Sequence, residues 1–234
     1  MAETLSPTSQ SAQGNVGGKA GIASGLAIKN PHAVVLFLLV LSVGAAADLL
    51  SKHYVFESFL GNAQLPARIA EANFSPPVTT RAILQSQRTD DLFKRQVAPG
   101  VKFQVSTNPG IVFGARWLPG WVVIATTIIT ILAVCVYFAA SRAKDYISHV
   151  GLALIVGGAI GNLYDRLFAV VDLGIAGIEP IRGEVRDFID CSGLCWPYVF
   201  NVADAWLVIG VALLMIPWLR RPGKPSASRP AARQ

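Results

Sequence analysis

Two aspartates, Asp187 and Asp204, stand where carboxylates are costly. Asp187 lies in the stretch GEVRDFID (Gly183 to Asp190), beside a hydrophobic segment, and Asp204 closes FNVAD (Phe200 to Asp204), inside the start of one. A carboxylate at bilayer depth costs roughly 2.5–3.5 kcal/mol on insertion scales, so a chain seldom keeps one without a partner or a use. Two carboxylates held close do not both ionise easily; one keeps its proton and the other is a base. Such a pair can activate water against an amide while protonating the carbonyl oxygen. The low dielectric near lipid strengthens both effects. No serine or cysteine nucleophile with a histidine base accompanies them, and no His-Glu-x-x-His spacing exists. If the site is hydrolytic, an aspartyl mechanism is the chemistry that remains. Asp190 is the nearest competitor to Asp187, and Asp172 a weaker one.

More polar residues recur near apolar runs. Asn162, Asp165 and Arg166 are spaced i, i+3, i+4 and share one face of a helix, and Asn201 and Asp204 repeat the i, i+3 spacing. Taken singly, Asp165 and Arg166 read as a helix-end ion pair, and Asn201 with Asp204 as a helix N-terminal cap. Their convergence with Asp48 and Asn108 on one membrane face makes a shared site the better reading. That convergence depends on the elements that carry them.

The 234-residue chain is 53% hydrophobic and only 15% charged, against about 25% charged in a soluble domain. Its mean hydropathy is +0.49. These values place it among membrane proteins. Four apolar runs predict four spanning helices at about 33–50, 121–140, 147–167 and 200–219, giving a mainly α membrane protein. Ala45-Ala46-Ala47 resembles a signal-peptide cleavage site, but three further spans make an uncleaved first span the more economical expectation. Asp48 then lies near the end of that span, followed by Lys52, which is expected to reach into the headgroups. Trp117, Trp121 and Tyr137 fit interfacial anchoring of the second span. Gly151, Gly157, Gly158 and Gly161 let neighbours approach the third span closely. His149, at the opposite end of that span from Asp165, reads as interfacial rather than catalytic.

Residues 51–120 and 168–199 lack spanning runs and are expected outside the membrane. The first has weak helical character around Arg81 to Arg95. Val101 to Val105 alternates like a half-buried strand, Asn108-Pro109-Gly110 is a turn, and Ile111-Val112-Phe113 reads as a second strand. Residues 1–32 and the basic 220–234 segment are expected to be disordered tails. The net charge of +6 is scattered, with no basic stripe among aromatics, which argues against nucleic acid and for contact with anionic membrane lipid. Cys135 reads as a small buried hydrophobe. Cys191 and Cys195 read equally as a strained local disulfide or as two thiols, and a zinc site is weaker still. The short basic hairpin 141–146 and the basic 220–234 tail place both on the cytoplasmic side. The N-terminal tail then lies inside too, and Asp48, Asn108, Asp165, Asp187 and Asp204 collect at the extracytoplasmic face.

With these motifs in order, the sequence resembles the lipoprotein signal peptidase (signal peptidase II) family of integral-membrane aspartyl proteases. Asp48 to Lys52 resembles the family's D-x-x-[ST]-K element, and Asn108 to Gly114 its N-x-G-x-x-F turn. Gly158 to Arg166 is similar to its glycine-rich N-x-x-D-R stretch, Val185 to Asp190 to V-x-D-F/M-I-D, and Phe200 to Asp204 to F-N-x-A-D. The resemblance implies that Asp187 and Asp204 are the catalytic dyad. It gives Asp48, Asn108, Asn162, Asp165, Arg166 and Asn201 supporting or substrate-binding roles, with no metal and no cofactor. It further implies a bacterial inner-membrane enzyme whose substrates are prolipoproteins bearing a diacylglyceryl cysteine, cut on the amino side of that cysteine. A small extracytoplasmic β-cradle is part of the implied fold. Two segments, 53–100 and about 170–182, are longer than the family's usual pattern.

A different class remains open on the residues alone: a small membrane carrier or assembly protein using the Asp/Arg cluster as a proton relay. Such carriers place ionisable groups near midplane in repeated halves, whereas here they gather at one end and no internal repeat is seen. A protease cutting within transmembrane helices would hold its aspartates deeper in the spans.

Overall fold

A computed structural model of the chain describes residues 25–75, 77–110, 118–194 and 196–219. Four long helices form the body: α1 (Pro31–Leu60), α5 (Gly120–Ala140), α6 (Tyr146–Phe168) and α7 (Val202–Leu219). Of these, α1, α5 and α6 are long and apolar enough to cross a membrane by length and composition, and α7 is a shorter apolar helix. Large apolar side chains such as Leu39, Val43, Leu132, Val136, Val208 and Met215 are exposed along them, as expected of a surface whose solvent is lipid.

α1 begins sharply because Asn30 accepts from the backbone N–H of His32 (3.0 Å) and Ala33 (3.4 Å), and Pro31 takes the first helical position. It has 30 residues, about 45 Å at the usual rise, against a hydrocarbon core about 30 Å thick. The expected end near Leu50 is therefore too early. The extra turns bury Val55, Phe56 and Phe59 in a second core outside the bundle. The start of the first span also needs correction, since residues 25–30 are ordered. Ala27 donates to Ser141 O (2.9 Å), Ala143 to Gly25 O (2.7 Å), and Asn30 Nδ2 to Ala143 O (3.2 Å), which straps this segment across the α5–α6 hairpin. The tails 1–24 and 220–234 lie outside the described residues.

α6 is the central helix, packed between α1 and α7, and its glycines are where backbones meet. A Cβ on Gly158 would stand 2.6 Å from Ala203 O, one on Gly157 2.9 Å from Leu41 O, and one on Gly151 2.8 Å from Gly210 O. Phe37 stacks on Phe138 at 4.0 Å in the core of α1, α5 and α6. His149, in the first turn of α6, is buried at the hairpin end of that core, edge-on to Phe138, with Nε2 3.0 Å from Ser141 Oγ.

The segment after α1 forms three short helices, α2 (Leu65–Glu71), α3 (Thr80–Leu84) and α4 (Asp90–Phe93). Strands β1 (Lys94–Ala98), β2 (Val101–Asn108), β5 (Val185–Asp190) and β6 (Val199–Phe200) then build an antiparallel sheet in the order β1-β2-β5-β6. A two-stranded ladder, β3 (Val170–Val171) with β4 (Ile181–Arg182), lies beside it. The expected helical character therefore gives way to a strand at Lys94. β1 is an edge strand with an exposed face, so its sequence carries no hydrophobic alternation. The expected strand at Ile111–Phe113 lies outside the described residues; the partners that β2 shows are β1 and β5. The Cys191–Cys195 pairing also falls there, because Cys195 is not described. The sheet packs on Phe56, Phe59, Ile69, Ile83 and Leu173 through Val105 and Phe188.

Candidate active site

The polar residues meet where the sheet joins the ends of α1, α6 and α7. α7 starts with a capping box. Asn201 Oδ1 accepts from Asp204 N (3.1 Å), and Asp204 Oδ2 accepts from Asn201 N (3.2 Å). The helix-cap reading is thus geometrically real, and the same cap aims the Asp204 carboxylate. Its Oδ1 accepts from Asn162 Nδ2 at 3.0 Å.

Asp187 reaches this point from β5 and is 3% exposed. Its Oδ1 accepts from Asn201 Nδ2 at 2.6 Å. The Asn201 amide also donates to Asn162 Oδ1 (3.2 Å). Asn162 and Asn201 are therefore the bridge on which both aspartates hang, one on each amide. Burial pushes the Asp187 carboxyl up to about 7, and the nearby Asp204 charge adds to the rise; hydrogen bonds from Asn201 and Asn108 and the Lys52 charge oppose it. Asn108, at the end of β2, also makes the predicted turn, its Oδ1 accepting from Gly110 N at 2.9 Å.

Beneath the dyad is a buried charge network. Lys52 is fully buried, with Nζ 2.7 Å from Asp48 Oδ2, 3.1 Å from Asp165 Oδ2 and 2.8 Å from Asn162 Oδ1. The ammonium thus donates to Asn162 and forms ion pairs with both carboxylates. Asp48 Oδ1 accepts from Ala203 N at 2.8 Å, tying α1 to the first turn of α7. Asp165 accepts a fork from Arg186, with Nη2 at 2.6 Å and Nε at 3.0 Å from Oδ1, while the Arg186 backbone N–H meets Oδ2 at 3.0 Å. A Cβ on Gly161 would run into the Asp48 carboxylate, so glycine there makes room for the network.

The structure brings together all eight residues singled out from the sequence: Asp48, Asn108, Asn162, Asp165, Arg166, Asp187, Asn201 and Asp204. Two expectations change. The adjacent Asp165 and Arg166 do not pair; Arg166 turns away to Gly110 O (2.7 Å) and Asn162 O (3.2 Å), anchoring the turn after β2. Lys52 does not reach for headgroups. It is the centre of the charge network, and its i+4 spacing from Asp48 is the sequence signal that pointed there. Arg186 was missed for a different reason. In a strand it faces away from Asp187, and only the fold shows that Asp165 waits on that side. Asp190 Oδ1 accepts instead from Ser192 N at 2.8 Å, in the loop after β5. Asp172 Oδ1 likewise accepts from Gly174 N (2.9 Å) in the β3–β4 loop.

Residues 37–220 match the family model described as signal peptidase (SPase) II. The chain is similar to a lipoprotein signal peptidase of Aquifex aeolicus, 34% identical over 166 residues, covering 68% of this chain and 89% of the relative. A Rhodopseudomonas palustris relative of the same name is 36% identical over 143 residues, covering 58% of this chain and 77% of that one. One from Desulfitobacterium hafniense is 40% identical over 111 residues, 47% of this chain, and the match spans only 62% of that relative's length. A solved structure titled a bacterial membrane enzyme shares the fold, with a TM-score of 0.53, 20% identity and coverage of 88% of this chain and 98% of that one. On the match across 37–220, and on the length shared with the Aquifex and Rhodopseudomonas relatives, this multi-pass membrane protein belongs to the signal peptidase II family.

Proposed function

We propose that this protein is an aspartic endopeptidase that removes signal peptides from prolipoproteins, with Asp187 and Asp204 as the catalytic pair. The observation that carries the reading is the bridged dyad: two carboxylates on separate elements, each held by one amide of the Asn162–Asn201 pair. Its relatives are named lipoprotein signal peptidases, which supports the substrate class.

The environments divide the labour. Asp187, nearly dry and raised to about 7, carries the resting proton. Asp204 lies in the first turn of α7, where the helix dipole and the Asn201 backbone N–H stabilise an anion. Asp204 takes a proton from water as its oxygen attacks the scissile carbonyl carbon, and Asp187 gives its proton to the carbonyl oxygen. The tetrahedral diol then collapses. Asp204 returns its proton to the leaving nitrogen, the C–N bond breaks, and Asp187 recovers a proton from the diol hydroxyl. The scissile bond is the one on the amino side of a diacylglyceryl cysteine, whose acyl chains stay in lipid beside the exposed apolar helix faces. The basic 141–146 hairpin is cytoplasmic, so the dyad works at the extracytoplasmic face of the bacterial inner membrane.

The test measures cleavage of a diacylglyceryl-modified prolipoprotein by wild type, Asp187→Asn and Asp204→Asn. Each substitution is expected to lower turnover by about 10²–10⁴-fold, the usual span for a general acid or base. Near wild-type turnover in either variant refutes the dyad. Equal cleavage of unlipidated substrate refutes the substrate assignment.

A further inference from the structure

The long segment after α1 reaches the strand ends beside the site through Arg81. Arg81, on α3, donates from Nη1 to Thr107 O (3.4 Å), and its Nη2 pairs with Glu184. Thr107 precedes Asn108 and Glu184 precedes Val185, and Asn108 and Val185 are register partners of β2 and β5. One guanidinium thus spans the two strands at the end that presents Asn108 and Asp187. Both side chains are partly shielded, Arg81 at 23% and Glu184 at 15% exposure. The neighbouring Thr80 is buried and donates to Glu179 O at 2.6 Å. The helix bearing Arg81 is therefore also fixed to the segment between β3 and β4.

This contact stands beyond the end of the β1–β2 ladder. Among the described residues, pairing of β1 with β2 stops at Lys94 and Gln104, and β2 beyond Gln104 pairs with β5. A cavity of about 250 Å³ lies beside this stretch of β2, lined by Arg81, Lys94, Gln104 and Thr107 among others. There Arg81 supplies a side-chain hydrogen bond to the β2 backbone at Thr107 O.

We propose that Arg81, with Glu184, is a positioning residue of the active site: a clip that holds the ends of β2 and β5 so that Asn108 and Asp187 meet the Asn162–Asn201 bridge. The inference rests on the dyad reading above and gives the long 53–100 segment a catalytic consequence. Arg81 does not touch substrate. It acts through the two strands, so its loss lowers kcat more than it raises KM.

The test compares wild type with Arg81→Met, Arg81→Lys and Glu184→Gln on the lipidated substrate. Arg68→Ala serves as control, because it breaks the exposed Arg68–Asp91 pair in the same segment. Arg81→Met and Glu184→Gln are expected to cut kcat by about 10- to 100-fold with KM within about twofold, since a misplacement of about 1 Å far from the chemistry can cost about 10²-fold. Arg81→Lys restores part of the loss and Arg68→Ala changes neither constant. Unchanged kcat in Arg81→Met, or a loss that follows the melting temperature with no rescue by lysine, overturns the clip. If wild type itself does not cleave, the proposed function fails, and the clip is still decided by titrating the Asp187 carboxyl by carbon NMR. In Arg81→Met, water reaching a loosened β5 is expected to move that midpoint down from about 7. An unmoved midpoint overturns the clip.

Discussion

Replacing Lys52 by methionine isolates the charge network from the dyad. Methionine keeps most of the stem volume and removes the ammonium. That ammonium stands 2.7 Å from Asp48, 3.1 Å from Asp165 and 2.8 Å from Asn162 Oδ1, with no solvent exposure on any of the three ionised side chains. Asp165 keeps its Arg186 fork. Asp48 keeps only the Ala203 N–H, so it becomes a buried charge without a counterion. Stranding one partner of a buried pair typically costs roughly 3–5 kcal/mol. The lost hydrogen bond to Asn162 lies within that range rather than on top of it. Equilibrium unfolding in detergent micelles measures the loss. The double variant Lys52→Met/Asp48→Asn has no stranded charge and is expected to recover most of it. A single variant within about 1 kcal/mol of wild type, or a double variant no better than the single, refutes the claim that Lys52 and Asp48 form one electrostatic unit.

Activity is expected to fall about tenfold per pH unit above about 7, as the Asp187 proton is lost; a kcat/KM profile flat to pH 9 contradicts the assignment of the acid. The same shift has a stability signature. The folded chain holds this proton between the ordinary carboxylate value of 3.8 and about 7 while the unfolded chain releases it. Stability from this group is therefore full below the lower value and declines as pH rises to the upper one. Asp187→Asn is expected to flatten that slope in unfolding titrations, and an unchanged slope assigns it to another group. Gly158→Ala places a Cβ 2.6 Å from Ala203 O, between the helices that carry Asn162 and Asp204. The ordinary helix gain of about 1 kcal/mol over glycine is then outweighed by an overpacking cost of about 1–3 kcal/mol, and turnover falls with it; a stabilised, fully active variant refutes the close packing.

Much of the bundle and of the site was legible in the sequence for physical reasons. Uncharged runs of spanning length leave few alternatives, and the i, i+3 spacings of Asn162 with Asp165 and of Asn201 with Asp204 survive any small error in helix ends. What was hidden depended on tertiary partners. Lys52 looks like a snorkelling lysine because the polar Ser51 and His53 beside it suggest a helix leaving the membrane. The helix instead continues to Leu60 inside a protein core. β5 buries Val185, Asp187 and Phe188, so both its faces are covered and the alternation that marks a half-exposed strand is absent. Asp165 and Arg166 are neighbours in sequence, yet consecutive residues on a helix point about 100° apart; Asp165 found its partner on β5 and Arg166 in the turn after β2.

The overrun of α1 fixes the level at which the site is held. Asp48 and Lys52 lie on the same rod whose last turns are packed by Phe56 and Phe59 into the sheet core. The dyad is therefore indexed to the sheet-covered cap and not to the lipid. A thinner or thicker bilayer tilts the rod or shifts the strapped hairpin end, and the carboxylates keep their height relative to the sheet. The helix works as a gauge rod, with one end set in the cap and the other left to follow the membrane.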